Sequence, residues 1–252
     1  MQTIVIIGST GTISKNLVEL HKKENCIEAS RSLETKGNQY HLDLADFECI
    51  KEFLHSLETI SVDILYVNSG IVCDQEDTKD GIDCMMMVNA VGPYYLVKEF
   101  LKTHPMCKII VTSSVSILKA DLKFPPKNYR HMYRNTKLLE HILIRNLKVE
   151  NPNYFISFAH PGIVYTQLSA KLHSKIIIFW VKHFGNSSQN AARILQQAKE
   201  LNSIEDWICP RGWFSLRGRS CQKKISRDLT IKESIKTQIL QIEKELEEKY
   251  GI

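Results

Sequence analysis

The sequence predicts a three-layer α/β fold: a parallel sheet, doubly wound, with helices on both faces. Three observations carry this. Short apolar runs alternate with helix-period patterns along the chain. The first run enters a glycine turn, Gly8-Ser9-Thr10-Gly11-Thr12-Ile13-Ser14. The chain has 252 residues, 43% hydrophobic and 24% charged, enough to bury a large core. Strand and helix in alternation call for parallel strands joined by helical crossovers.

The elements follow in order. Thr3–Ile7 is a β-branched run that ends at a glycine, hence a strand. Ile13–Lys23 sets Ile13, Leu17 and Leu20 on one helical face. Ile27–Ser30 reads as a second strand, and Phe47–Leu57 as a helix with Ile50, Phe53, Leu54 and Leu57 aligned. Ile64–Asn68 is a buried strand, and Gly81–Leu101 contains a long helix. Then come a strand at Lys108–Ser113, a helix at Met132–Val149, a strand at Phe155–Ala159 and a helix at Ser188–Leu201. A helical tail is expected over about 230–250. No linker or repeat interrupts the pattern, so 1–252 reads as a single Rossmann-type domain. Its ligand site belongs at the carboxyl ends of the strands.

Composition narrows the function. The net charge is +5, and Arg211, Arg217, Arg219, Lys223, Lys224 and Arg227 crowd together. Without interleaved aromatic rings they read as a solvated face, and no nucleic-acid partner is expected. The seven cysteines form no Cys-x-x-Cys pair, which argues against a disulfide framework and a metal site and for a reducing compartment. Ile176–Val181, the longest later apolar run, is too short to span a bilayer. With no cleavable leader pattern at the N-terminus, the expected location is cytoplasmic.

The glycine turn lets the backbone approach a pyrophosphate, and the helix that follows offers its free N–H groups. Gly8, Ser9, Thr10, Gly11, Thr12 and Ile13 are therefore candidate dinucleotide-binding residues. The second strand ends in Ala29-Ser30-Arg31-Ser32, without the carboxylate that would bind the ribose of NAD. Arg31 can instead neutralise the extra phosphate of NADP, so NADP(H) is favoured over NAD(H). Tyr133 and Lys137 stand at i and i+4, on one helical face. A neighbouring ammonium is expected to lower the phenol pKa and make Tyr133 an acid–base. Ser114 ends a strand, where a hydroxyl can bond a substrate oxygen, and Asn89 lies in a helix where its amide can hold a relay water.

Taken in order, these residues resemble the short-chain dehydrogenase/reductase family. The motifs are Gly8-x-x-Gly11, Asp43-Leu44, Val67-Asn68-Ser69-Gly70, Asn89, Ser113-Ser114, Tyr133-x-x-x-Lys137 and His160-Pro161-Gly162-Ile163-Val164-Tyr165-Thr166. The resemblance implies that Asp43 contacts the adenine and that Asn68, Ser69 and Gly70 support the cofactor. It implies that Ser114 orients a carbonyl, Tyr133 is the acid–base, Lys137 binds the nicotinamide ribose, and Asn89 extends the proton relay. Leu44, Pro161, Gly162, Val164 and Thr166 complete the implied cofactor contacts. His160-Pro161-Gly162 and the segment Pro210–Gly218 resemble the retinol-dehydrogenase-like branch, which implies a small apolar carbonyl or alcohol substrate. Ser14 stands where the usual pattern has a glycine. The interval from Ser114 to Tyr133 exceeds the commonest family spacing, and its extra residues, Pro125-Pro126 among them, are expected to form a surface loop.

Residues 167–187, rich in Leu168, Leu172, Ile176, Phe179 and Trp180, are expected to be a substrate lid or, alternatively, a core-packed helix. Two other functions remain open at this point: a dinucleotide-binding regulator without chemistry, and an epimerase or dehydratase acting on nucleotide sugars. A homo-oligomer is left open as well.

Overall fold

In a computed structural model, the structure describes residues 1–73, 76–172, 174–203, 205–212 and 215–225, together with 237, 240, 241, 244, 245, 247 and 248. Most of the tail expected over 230–250 lies outside these; those of its residues that are described are helical.

The first half of the chain runs β1 (Thr3–Ile7), α1 (Thr12–Leu20), β2 (Asn25–Ser30), β3 (Gln39–His41), α2 (Phe47–Leu57) and β4 (Ile64–Val67). It continues with α3 (Cys84–Met86), a π turn (Met87–Val91), α4 (Gly92–Thr103) and β5 (Lys108–Thr112). The second half holds α5 (Tyr129–Glu150), β6 (Phe155–Ala159), α6 (Gln167–Leu172), α7 (Lys175–Phe184), α8 (Ser188–Gln197), β7 (Asp206–Pro210) and β8 (Ser220–Lys224).

All eight strands lie in one sheet, ordered β3-β2-β1-β4-β5-β6-β7-β8. Seven run parallel, and β8 pairs antiparallel with β7. The central strands are apolar on both faces because helices cover both. Alternation along β1 shows it: Ile4 and Ile6 face the α1–α8 layer, while Val5 and Ile7 join the larger core beneath α2, α4 and α5. Neighbours β2 and β4 flank β1 on opposite sides, so the chain reverses its direction of winding there. That reversal opens a crevice above the carboxyl ends of β1 and β4.

Two features depart from the sequence reading. The helix expected within 81–101 runs without a gap through α3, the π turn and α4, and the π turn in its middle holds Asn89. Strands β7 and β8 extend the sheet beyond β6, with β8 as its edge, which periodicity does not reveal. Ser220–Lys224 is mostly polar because one face of this edge meets solvent. The basic crowd around Arg211, Arg217 and Arg219 is the connection between these two strands. No helix among the described residues is long and apolar enough to cross a membrane.

Candidate active site

Gly8 has a φ of +74°, and a Cβ there would lie 2.7 Å from the Asn68 carbonyl oxygen. Only glycine lets this turn press against the end of β4. Gly11 begins α1 with no side-chain cap and no acid in the first turn, so the positive end of the helix is left unneutralised. Ser14 is more than a small stand-in for glycine: it is fully buried, and its Oγ accepts a 2.6 Å hydrogen bond from Asn68 Nδ2. The hydroxyls of Ser9 and Ser69 are buried without a partner.

At the end of β2, Thr10 Oγ1 meets Ser30 Oγ at 2.8 Å and accepts from Ser32 Oγ at 3.2 Å. Arg31 is exposed beside this trio of hydroxyls. Asp43 turns its carboxylate to the Ala45 N–H at 2.9 Å, and Leu44 is buried in the core.

A cavity of about 1200 Å³ opens at the carboxyl edge of the sheet. Its wall includes Thr10, Gly11, Thr12, Ile13, Asn68, Ser69, Gly70, Ser114, Tyr133, Lys137, Pro161, Gly162, Val164 and Thr166. Gly8, Ser9, Arg31, Asp43, Leu44 and Asn89 stand outside that wall. Lys15, Lys119, Arg130 and Arg134 also line it, and among the described lining residues there is no carboxylate.

Tyr133 and Lys137 come from the first turns of α5, which Asn128 caps by accepting the His131 N–H at 3.0 Å. Ser114 accepts the Ser116 N–H at 3.2 Å and shares the cavity wall with Tyr133. Between tyrosine and lysine, Asn135 is fully buried. It accepts the N–H groups of Asp121 and Leu122 and donates to the Lys123 carbonyl at 2.9 Å. His131 adds a 2.6 Å bond to Asp121. The extra loop is thus fastened along α5 rather than merely laid on the surface.

Asn89 is fully buried, and its amide brackets the backbone of Ile71, accepting its N–H at 2.7 Å and donating to its carbonyl at 2.9 Å. It also donates to Thr136 Oγ1 at 3.3 Å. Its direct partners are therefore structural, holding the loop after Gly70 against α5.

The electrostatics correct one expectation. The Tyr133 phenol is pushed up to about 12, first by burial and then by the charge of Glu140, with the Ser114 hydroxyl opposing. Lys137 does not lower it, because its ammonium is ion-paired with buried Glu140. Burial pushes the Glu140 carboxyl up to about 7 against the pull of Lys137. His141 bonds Ser113 at 3.3 Å and is pushed down to about 3, chiefly by burial. Burial likewise pushes His160, packed near Trp207, down to about 4.

After β6 the chain turns at Gly162, with a φ of +83°, where a Cβ would lie 2.5 Å from the Leu216 carbonyl oxygen. Ile163 N–H bonds that carbonyl at 3.0 Å. Asn186 grips the same loop, donating from Nδ2 to the Pro161 carbonyl at 2.7 Å and from its N–H to the Ile163 carbonyl at 2.8 Å. Motif reading missed both Asn186 and Leu216. The Pro210–Gly218 segment is the sequence signal for Leu216, with Trp213 and Phe214 outside the described residues, and no motif signals Asn186.

The profile of the short chain dehydrogenase family matches residues 2–176. This chain belongs to that family. Human retinol dehydrogenase 14 is 28% identical over 151 residues, which are 54% of this chain and 45% of that protein. The chain spans about half the length of the curated relatives it matches there. The alcohol dehydrogenase of the archaeon Thermococcus sibiricus, solved with 5-hydroxy-NADP, superposes with a TM-score of 0.62 at 21% identity, covering 80% of this chain and 91% of that one. The 3-alpha-hydroxysteroid dehydrogenase of Pseudomonas sp. B-0831, solved with NADH, gives 0.62 at 16% identity, covering 80% and 92%. These structures share the fold.

In this short-chain dehydrogenase the last wall of the cavity is α6 and α7. Thr166 and Ser169 cap the start of α6 reciprocally, at 2.8 and 3.1 Å. Leu168 and Leu172 pack with Val72, Met85, Met132 and Tyr133. Beyond them α7 has no buried residue, and Ile176, Ile177, Phe179, Trp180 and Phe184 are exposed. Of the two readings of this stretch, the core-packed helix does not describe α7.

Proposed function

We propose that this dehydrogenase interconverts a carbonyl and an alcohol, with Tyr133 as the acid–base and NADP(H) as the preferred cofactor. The observation that carries the reading is that Ser114, Tyr133 and Lys137 meet on one cavity that runs to the uncapped N-terminus of α1. A dinucleotide fits the residues present. The unneutralised helix end suits a pyrophosphate, the unpartnered hydroxyl of Ser69 on the cavity wall suits a ligand oxygen, and the basic rim suits an anion. Arg31 with the Thr10, Ser30 and Ser32 hydroxyls supports recognition of the additional phosphate of NADP. The bound cofactor supplies the hydride in reduction and accepts it in oxidation.

The chain's own groups do the rest. Ser114 donates a hydrogen bond to the substrate oxygen and holds it beside the phenol. Tyr133 transfers its proton to that oxygen in reduction and takes it back in oxidation. Lys137 bonds the ribose and meets the phenol with positive charge. Val164 and Thr166 line the nicotinamide end. Leu168, Leu172 and Ile177 give the substrate end an apolar wall, which favours a lipophilic aldehyde or ketone, and α6–α7 serves as its lid. The placement of Ser114 and Tyr133 together on the cavity wall favours chemistry over a binding-only regulator.

The test is cofactor consumption over a panel of aldehydes, ketones and alcohols, with NADPH and NADH in parallel. Turnover with a preference for NADPH that Arg31→Ala narrows is the expected result. No turnover of any carbonyl or alcohol, with dinucleotide binding intact, would return the regulator reading.

A further inference from the structure

We infer that Glu140 is a positioning residue of this site, a buried carboxylate that engages the Lys137 ammonium when ionised and yields it to Tyr133 when protonated. The inference rests on the proposed role of Tyr133. Tyr133, Lys137 and Glu140 fall at i, i+4 and i+7, one stripe along α5. The side chains of Lys137 and Glu140 are 4% and 1% exposed, so their ion pair is closed to solvent. An ammonium held this way is partly neutralised by its partner. Glu140 stands seven residues on from Tyr133, a backbone rise of about 10 Å, and its charge opposes formation of a phenolate. Ionised Glu140 therefore acts twice against the acid–base: it occupies the cation, and it repels the anion the cation would stabilise.

Other charges do not take this role. Of the elements packed on α5, the π turn and β6 carry no ionisable side chain. Cys84 lies on α3, Lys119 on the turn after Ser114, and Tyr94, Tyr95, Lys98, Glu99 and Lys102 on α4. On α5 itself His141 and Arg145 follow, and His141 is held neutral. Among the described residues, Lys137 is the charged group that acts on Glu140. Burial raises the carboxyl well above the usual carboxylate range, which brings its protonated form within reach near neutrality.

The test reads Tyr133 directly. Protein carrying isotope label at tyrosine Cζ is titrated by NMR, with Tyr133→Phe assigning the resonance among the nine tyrosines. Glu140→Gln is expected to lower the Tyr133 midpoint by about one pH unit, the size of a unit charge acting over that distance through a protein-like dielectric. Glu140→Met, also uncharged, should lower it too, which separates charge from hydrogen bonding. An unchanged or raised midpoint in both variants overturns the inference, whether or not a substrate is turned over. A lowered midpoint in a protein that reduces no carbonyl keeps the coupling and sinks the dehydrogenase reading instead. On a carbonyl that is turned over, kcat of Glu140→Gln should exceed wild type above pH 7 and match it well below, where Glu140 already holds its proton. A kcat ratio independent of pH would also overturn it.

Discussion

Helices α5 and α7 border the same cavity and are built on opposite plans. α5 is 22 residues long and buries ionisable groups, among them Lys137, Glu140 and the neutral His141. α7 is 10 residues long and buries none, though its sequence, Lys-Ile-Ile-Ile-Phe-Trp-Val-Lys-His-Phe, is far more apolar. Hydropathy alone would assign them the other way round. The difference teaches where each kind of residue is useful. Polar groups that must hold a geometry are worth burying when each finds a partner, as Asn135 and Asn89 do. Apolar groups that meet solvent have an unmet demand for cover, which suits a wall that closes on an apolar substrate.

That contrast can be broken or sharpened by substitution. The largest effect is expected at Tyr133→Phe, which keeps the ring and loses the proton: kcat should fall roughly 10²–10⁴-fold, with cofactor affinity by fluorescence titration nearly unchanged. Near-normal turnover would remove α5 from the chemistry. Asn89→Ala should cost roughly 2 kcal/mol in denaturant unfolding, because the Ile71 N–H and carbonyl lose their partners. A neutral result would mean that water replaces the amide without loss.

The next effect is set by pH. His141 and His160 titrate ordinarily near 6.5 when unfolded but near 3 and 4 in the fold. Between those values the unfolded chain binds more protons, so these groups make stability fall as pH drops from about 6.5 towards 4. Melting temperatures measured across that range should show the decline, and His141→Asn should flatten it. A slope indifferent to this substitution would locate acid sensitivity elsewhere. The smallest effect on folding belongs to α7. Phe179→Ser with Trp180→Ser should change unfolding free energy by less than about 0.5 kcal/mol per site, while raising KM for apolar substrates. A large loss of stability would show that α7 packs on something after all.

Much of the architecture could be read before the coordinates. Phe47–Leu57 and Phe155–Ala159 occur with the bounds their periodicity implies, and Ser114, Tyr133 and Lys137 meet because strand ends and one helical face bring them together. What escaped reading is contact between segments with no shared pattern. Nothing in the spacing of Asn68 and Ser14, or of Gly162, Asn186 and Leu216, announces their bonds. Glu140 looks like any helix glutamate until its burial is known, and so the charge it sets against Tyr133 is not legible from the spacing of Lys137. Strand β8 escaped because an edge strand is half polar, and β7 because Asp206–Pro210 is short and mixes polar with apolar residues.

The clamp on Gly162 bears on how the polypeptide can be divided. The match to the family profile ends at residue 176, yet the loop that turns at Gly162 is held by Asn186 and Leu216, both downstream of that limit. A fragment cut at the homology boundary would retain Ser114, Tyr133 and Lys137 and lose two supports of the loop beside them, along with α8, β7 and β8. The profile match and the mechanical unit thus end at different places along this chain.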